Sequence, residues 1–326
     1  MEVVESPTER SSFGELAEKF QQQTQYIILG CQGSGTNLLS QFLRKFFQFS
    51  VVHDRSLIYN AAVEVSREPT PARIREQRDY VYGRLFPGPL SKRLMLKHYY
   101  HQANRYAGIE RHFGDVEILS AEQFANFFYA FHASTVGGIH KAIKSDDIWE
   151  QIEHIPTVFP KRKYFLLIRD PRDNALSIRN KNFGPCNMYV ASKYVKRRMD
   201  IYRDESDRNP DDMMTIKYES LLSKPNDVVE RIADRFDFEL PDNWQAGVDE
   251  LNIRATNFNK WRALPPKILA ACESILQDNL REYGYELLNS SPTPGTSAQV
   301  AMWRMSDVQR RTVQRVRRTV ENFIDP

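Results

Sequence analysis

Gly30-Cys-Gln-Gly-Ser-Gly35-Thr36-Asn37 sets three glycines among small polar side chains. A stretch of this kind can turn several backbone amides toward one anion, and a helix starting at its end adds the pull of its dipole. Hydroxyls on Ser34 and Thr36 supply further donors. Laid over the nucleotide-triphosphatase pattern GxxxxGK[ST], Gly30 and Gly35 fit, but Thr36 stands at the lysine position and Asn37 at the magnesium-ligand position. The loop therefore lacks the groups that hold a γ-phosphate and its metal. It suits a diester-linked phosphate or sulfate that needs no metal. The plain alternative is a glycine turn that packs a helix close to a sheet.

A second anion site is readable in Arg169-Asp-Pro-Arg-Asp173, with Ser177 eight residues after Arg169. About two helical turns separate the two side chains, so they can flank one phosphate. Otherwise Arg169 pairs with Asp170 or Asp173 in a polar turn.

These residues need strands and helices to hold them. Tyr26-Ile-Ile-Leu29 is an apolar run too short for a buried helix and reads as a strand. Leu38, Leu39, Phe42, Leu43, Phe46 and Phe47 recur at three- and four-residue steps, one face of a helix. Tyr164–Ile168 followed by Pro171, Ala175, Leu176 and Ile178 repeats the strand-turn-helix order. Met213–Tyr218 reads as a further strand, leading through Pro225 to an amphipathic helix with Val228, Val229, Ile232 and Phe236. Ser12 and Glu15 form a capping box for a short first helix ending near Gln23. The spacing of Phe124, Phe127, Phe128 and Phe131 is that of a helix packed in a core. Alternating strands and helices predict an α/β fold with a single doubly wound, mostly parallel sheet, a P-loop-type strand-loop-helix and helical insertions. The expected organisation is an N-terminal helical extension over 1–24 and a main domain over 25–288, with 55–135 as an acceptor-side insertion. The Ser/Thr/Pro-rich linker and an Arg-rich helix then occupy 289–326.

Ser-Gly-Thr at a first strand-to-helix turn, with RDPRDxxxS at a later one, resembles the PAPS (3′-phosphoadenosine-5′-phosphosulfate)-dependent sulfotransferase family. Lys217-Tyr-Glu-Ser-Leu is similar to that family's YE-L segment, and Asn259-Lys-Trp-Arg262 to its late Lys-Trp cofactor contact. The likeness runs over roughly residues 25–285. It implies that Gly33, Ser34, Gly35, Thr36 and Asn37 hold the 5′-phosphosulfate and that Arg169 and Ser177 hold the 3′-phosphate. Tyr218 and Lys260 join the cofactor-binding set, with PAPS as donor, PAP as product and no metal. The chain departs from the pattern at Gly33, where the family normally carries Lys or Arg. Losing that cation removes ~2–4 kcal/mol of transition-state stabilisation unless another group replaces it. By position the replacement is Lys144, 25 residues before Arg169, with Lys141 as the weaker alternative.

A sulfonate acceptor must also lose a proton to a base. Asp54 falls where tyrosylprotein members of the family carry a catalytic glutamate, and Asp146 where cytosolic members carry a histidine. His53 is adjacent to Asp54. His98, with His101 three residues on, has the right chemistry at neutral pH. Asp54 is the first choice. His98, His101, His112, His132 and His140 show no tight zinc spacing.

Lys and Arg total 45 against 42 Asp and Glu, too even for a chain that coats nucleic acid. Cys31, Cys186 and Cys272 are widely spaced and form no CxxC pair, the first 25 residues lack a secretory pattern, and no apolar run is long enough to span a membrane. The expectation is a cytoplasmic enzyme moving a sulfonate from PAPS to a hydroxyl or amine of a glycan, lipid, peptide or small molecule. Two other readings stay open: a P-loop kinase or NTPase, and a sulfotransferase-like protein that binds PAPS or PAP without turnover.

Overall fold

The computed structural model describes residues 7–54, 56–86, 104–145, 147–181, 184–251, 253, 258–289 and 292–324, with side chains from Phe13 to Val313. Five strands, β1 (Gln25–Gly30), β2 (Phe49–His53), β3 (His140–Lys144), β4 (Arg162–Ile168) and β5 (Met213–Lys217), form a single parallel sheet in the order β2-β3-β1-β4-β5. From β1 the chain passes to β2 at the sheet edge, returns to β3 beside β1, then crosses to β4 on the other side of β1. The carboxyl ends of β1 and β4 thus flank the point where strand order reverses, the usual ligand crevice of an open α/β sheet. Among the described residues no helix is long and apolar enough to cross a membrane.

Two compact units share the chain. The first comprises Met1–Ile27 and Leu43–Tyr164. It holds α1 (Pro7–Gln22), α3 (Leu57–Arg67), α4 (Pro71–Leu85), α5 (Ala121–Val136) and α6 (Ile155–Val158), α2 (Thr36–Phe47) being the helix that leaves the glycine loop. The first helix begins at Pro7, not at the Ser12–Glu15 box; proline is favoured in a first turn, and Ser12 lies inside the helix. Phe124, Phe127, Phe128 and Phe131 are all buried on α5, and Phe13 of α1 meets Phe127 edge-on at 5.7 Å. β2 pairs with β3 in parallel, Phe49 opposite His140 and His53 opposite Lys144.

The second unit comprises Ile28–Phe42 and Phe165–Pro326. Leu39 and Phe42 on α2 (Thr36–Phe47) are completely buried, each worth roughly 1.5–3 kcal/mol relative to exposure. α7 (Pro171–Arg179) starts with proline at the end of β4, and α8 (Met188–Arg208) follows. After β5 come α9 (Tyr218–Ser223), α10 (Pro225–Phe236), α11 (Trp244–Asp249), α12 (Pro266–Glu282) and α13 (Ser297–Ile324). Phe165 of β4 packs edge-on against Phe236 of α10 at 5.0 Å.

Candidate active site

The glycine loop is shaped by what lies against it. Gly33 and Gly35 have φ of +83° and +100°, a backbone region that disfavours any side chain. A Cβ on Gly35 would sit 2.3 Å from Cδ2 of Tyr218, so the tyrosine ring occupies the space a side chain would need. A Cβ on Gly33 would sit 2.8 Å from the Ser177 hydroxyl. The loop residues, Ser177 and Tyr218, far apart in sequence, are therefore in contact. The Ser34 amide donates to Cys31 O at 2.9 Å and closes the turn. α2 then begins at Thr36, and the first amides of a helix lack intrahelical acceptors. Ser34 is 1 % exposed, and its buried Oγ has no hydrogen-bond partner among the described residues.

Two carbonyls of the loop are held by the Arg169–Ser177 segment. Arg169 Nη1 donates to Gly33 O at 2.9 Å, and Asn174 Nδ2 donates to Gln32 O at 2.8 Å. The Arg169 guanidinium lies 4.7 Å from the centre of the Tyr218 ring, and its Nη2 is 3.9 Å from Asp173 Oδ2. The Tyr194 hydroxyl donates to Gln32 Oε1 at 3.0 Å.

The rest of RDPRD ties α7 to later segments, a role that local spacing does not reveal. Asp170 caps α7 by accepting from the Arg172 amide and pairs with the Arg172 guanidinium at 2.8 Å. Arg172 is 1 % exposed, also meets Glu273 at 2.6 Å, and stacks 3.4 Å from the centre of the Trp261 ring. The Trp261 amide donates to Asp173 Oδ1 at 2.9 Å. Burial raises the Asp173 carboxyl above its usual range, against the pull of that hydrogen bond. The short 3-10 turn Lys260–Ala263 is thereby fixed on α7, with Lys260 exposed at its start. Glu219 accepts from the Asp170 amide and from the Tyr285 hydroxyl.

Asp54 and Lys144 belong to the first unit, each at the carboxyl end of its strand, and the Asp54 amide donates to Lys144 O at 3.0 Å. Both side chains are buried. Asp54 Oδ1 accepts from the Ile58 amide, while Oδ2 accepts from the Tyr59 amide and the Tyr129 hydroxyl, each at 2.8 Å. The carboxyl thus anchors the start of α3 and a tyrosine of α5. Burial pushes its pKa up to about 6, with those hydrogen bonds pulling the other way. Lys141, on the opposite face of β3 from Lys144, donates to Phe20 O at the end of α1 and lies 4.3 Å over the Phe20 ring; burial lowers its pKa to about 7. His98 and Asp146 lie outside the described residues. Sequence reasoning missed Tyr129, Arg172 and Glu273, whose partners are 75 to 101 residues away.

A sequence profile described as the Sulfotransferase family matches residues 26–242, two thirds of the chain. Among curated proteins none matches the sequence. Of solved structures, the sulfotransferase domain from the curacin biosynthetic pathway is 17 % identical, covering 80 % of this chain and 98 % of that one, with a TM-score of 0.52. The sulfotransferase domain of the Synechococcus PCC 7002 olefin synthase is 16 % identical, covering 81 % and 95 %, with a TM-score of 0.50. At such identities these two establish the fold, and the extent of the profile match establishes the descent. The loop, the RDPRD turn and the strands that carry them all fall inside the matched span, and the chain belongs to the sulfotransferase family.

Proposed function

We propose that the protein transfers a sulfonate from PAPS to an acceptor hydroxyl or amine. The observation that carries this reading is the Ser34 hydroxyl, buried without a partner in a loop whose neighbours are Arg169, Ser177 and Tyr218. A buried hydroxyl left unpaired costs about 1–3 kcal/mol, and an anion seated in the loop would offset that cost. The residues present therefore fit the donor. Gly33, Ser34, Gly35, Thr36 and Asn37 would hold its 5′-phosphosulfate through amides and hydroxyls. Arg169 and Ser177 would hold the 3′-phosphate, with Tyr218 and Lys260 completing the nucleotide contacts. When bound, PAPS supplies the sulfonate and leaves as PAP.

Lys144 is the proposed cation that offsets charge developing as the sulfonate departs, in place of the side chain that Gly33 lacks. Asp54, Asp146 or His98 would take the acceptor proton. No metal is assigned a part, since Thr36 stands at the lysine position and Asn37 at the magnesium-ligand position of the triphosphatase pattern. Cys31, Cys186 and Cys272 are free thiols, in keeping with a cytoplasmic setting.

Calorimetric titration with PAP tests the donor assignment. Arg169→Ala removes charge-assisted hydrogen bonds and is expected to weaken PAP by about tenfold to a hundredfold. Unchanged affinity would refute it. Lys144→Ala is expected to lower sulfonate transfer while PAP affinity holds. Gly33, standing where the family carries Lys or Arg, also favours a second reading, a protein that binds PAP without turnover. Tight PAP binding with no transfer across a broad acceptor panel would select that one.

A further inference from the structure

The C-terminal helix α13 meets its own unit along one edge. The Trp303 ring lies 5.3 Å from Tyr189, Asn187 Nδ2 donates to Trp303 O at 2.7 Å, and the Cys186 amide donates to Asp307 Oδ1 at 2.8 Å. At about 100° per residue, Val313 and Met302 lie roughly 80° and 100° round from Trp303 and Met305 about 160°, so the three fall on a stripe to one side of that edge. They are 57 %, 63 % and 65 % exposed, and Val308 beside them is 63 % exposed. Single exposed apolar side chains are ordinary on a protein surface, but four along one helix form a face without a partner among the described residues. The sequence continues the three- and four-residue spacing through Val316, Val320 and Phe323.

Charge decides among the occupants of this face. Over Ser297–Ile324 the helix carries Arg304, Arg310, Arg311, Arg315, Arg317 and Arg318 against Asp307 and Glu321. Asp307 is already paired with Arg311 at 2.7 Å. A second copy of the helix would bring two strongly basic segments together and gain nothing from charge. A negatively charged lipid surface satisfies both features, taking the apolar stripe into the headgroup boundary and placing the arginines among the headgroups. We propose that α13 docks the protein on anionic membrane surfaces. The proposal is independent of the donor assignment, because it rests on neither the loop nor the RDPRD turn.

Flotation of the full chain with vesicles of phosphatidylcholine, with and without phosphatidylserine, is the test. Binding is expected only to the phosphatidylserine vesicles, weakening as salt is added. Met302→Asp with Met305→Asp, and separately Arg304→Glu with Arg310→Glu, should each reduce binding about tenfold or more. All four side chains are exposed, so thermal unfolding should not change. The proposal falls if phosphatidylserine vesicles are not bound, if both vesicle types bind equally, or if either double variant binds as well as the parent. It also falls if the lipid-free protein is a dimer that Met302→Asp with Met305→Asp dissociates, which would make the second copy the occupant.

Discussion

Replacing Gly33 with alanine tests how the glycine loop and α7 are fitted to each other. With φ at +83°, the new residue enters a backbone region that costs a residue bearing a Cβ about 1–2 kcal/mol. Its Cβ would also lie 2.8 Å from Ser177 Oγ, closer than unbonded atoms pack, and 3.2 Å from Ser177 Cβ, a tight contact. Relieving such an overlap costs about 1–3 kcal/mol, so the expected destabilisation is about 3 kcal/mol. The two contributions separate in a double-mutant cycle. Ser177→Gly removes both clashing atoms but leaves the backbone strain, so Gly33→Ala should cost about 1–2 kcal/mol less in that background. Urea unfolding followed by tryptophan fluorescence suits the measurement, since Trp244, Trp261 and Trp303 belong to the same unit as Gly33 and only Trp149 does not. Costs that add to within about 0.5 kcal/mol would refute the contact between Gly33 and Ser177. Gly33→Arg carries the same overlap, so installing the cation usual in the family requires Ser177 to move as well.

Two further outcomes follow from buried charge. Asp54 has a folded pKa of about 6 against an ordinary value of 3.8, so between about pH 4 and pH 6 the folded state keeps a proton that the unfolded state has released. Its contribution to stability therefore falls as pH rises through that window, by about 3 kcal/mol in all, and Asp54→Asn should abolish this part of the slope. Parallel stability-against-pH profiles for parent and variant would contradict the assignment. Arg172→Met strands the carboxylates of Asp170 and Glu273 in the interior and should cost about 3–5 kcal/mol in chemical denaturation. A loss below about 1 kcal/mol would mean that those acids take up protons or solvent instead.

The parts of the fold legible in sequence were those encoded locally. The runs of β1 and β4, the helical face of α2 and the proline at the start of α7 each declare themselves within a dozen residues. β2 did not, because Phe49-Ser-Val-Val-His53 is short and adjoins the apolar end of α2. The Ser12–Glu15 box misplaced the start of α1, since Pro7 supplied an earlier one. In the candidate site, the sequence singles out the glycine loop and the Arg169–Ser177 segment, and the structure brings the two into contact. The use of Arg172 was not, because Glu273 and Trp261 come from a segment some ninety to a hundred residues later. Nor does sequence show that Asp54 spends its oxygens on α3 and on Tyr129, a partner 75 residues away.

RDPRD contains two arginines, yet Arg172 is neutralised by Asp170 and Glu273, which leaves Arg169 as the cation directed at the loop. Around it the loop offers mainly peptide dipoles, hydroxyls and the first turn of α2. Such partial charges are built into the backbone and do not reorient when an anion arrives. Mobile ions also screen them less than they screen exposed lysines, because they act at contact distance from within the protein. The proposed anion site would owe its selectivity to shape and fixed orientation more than to net charge, and should hold its preference across a wide range of ionic strength.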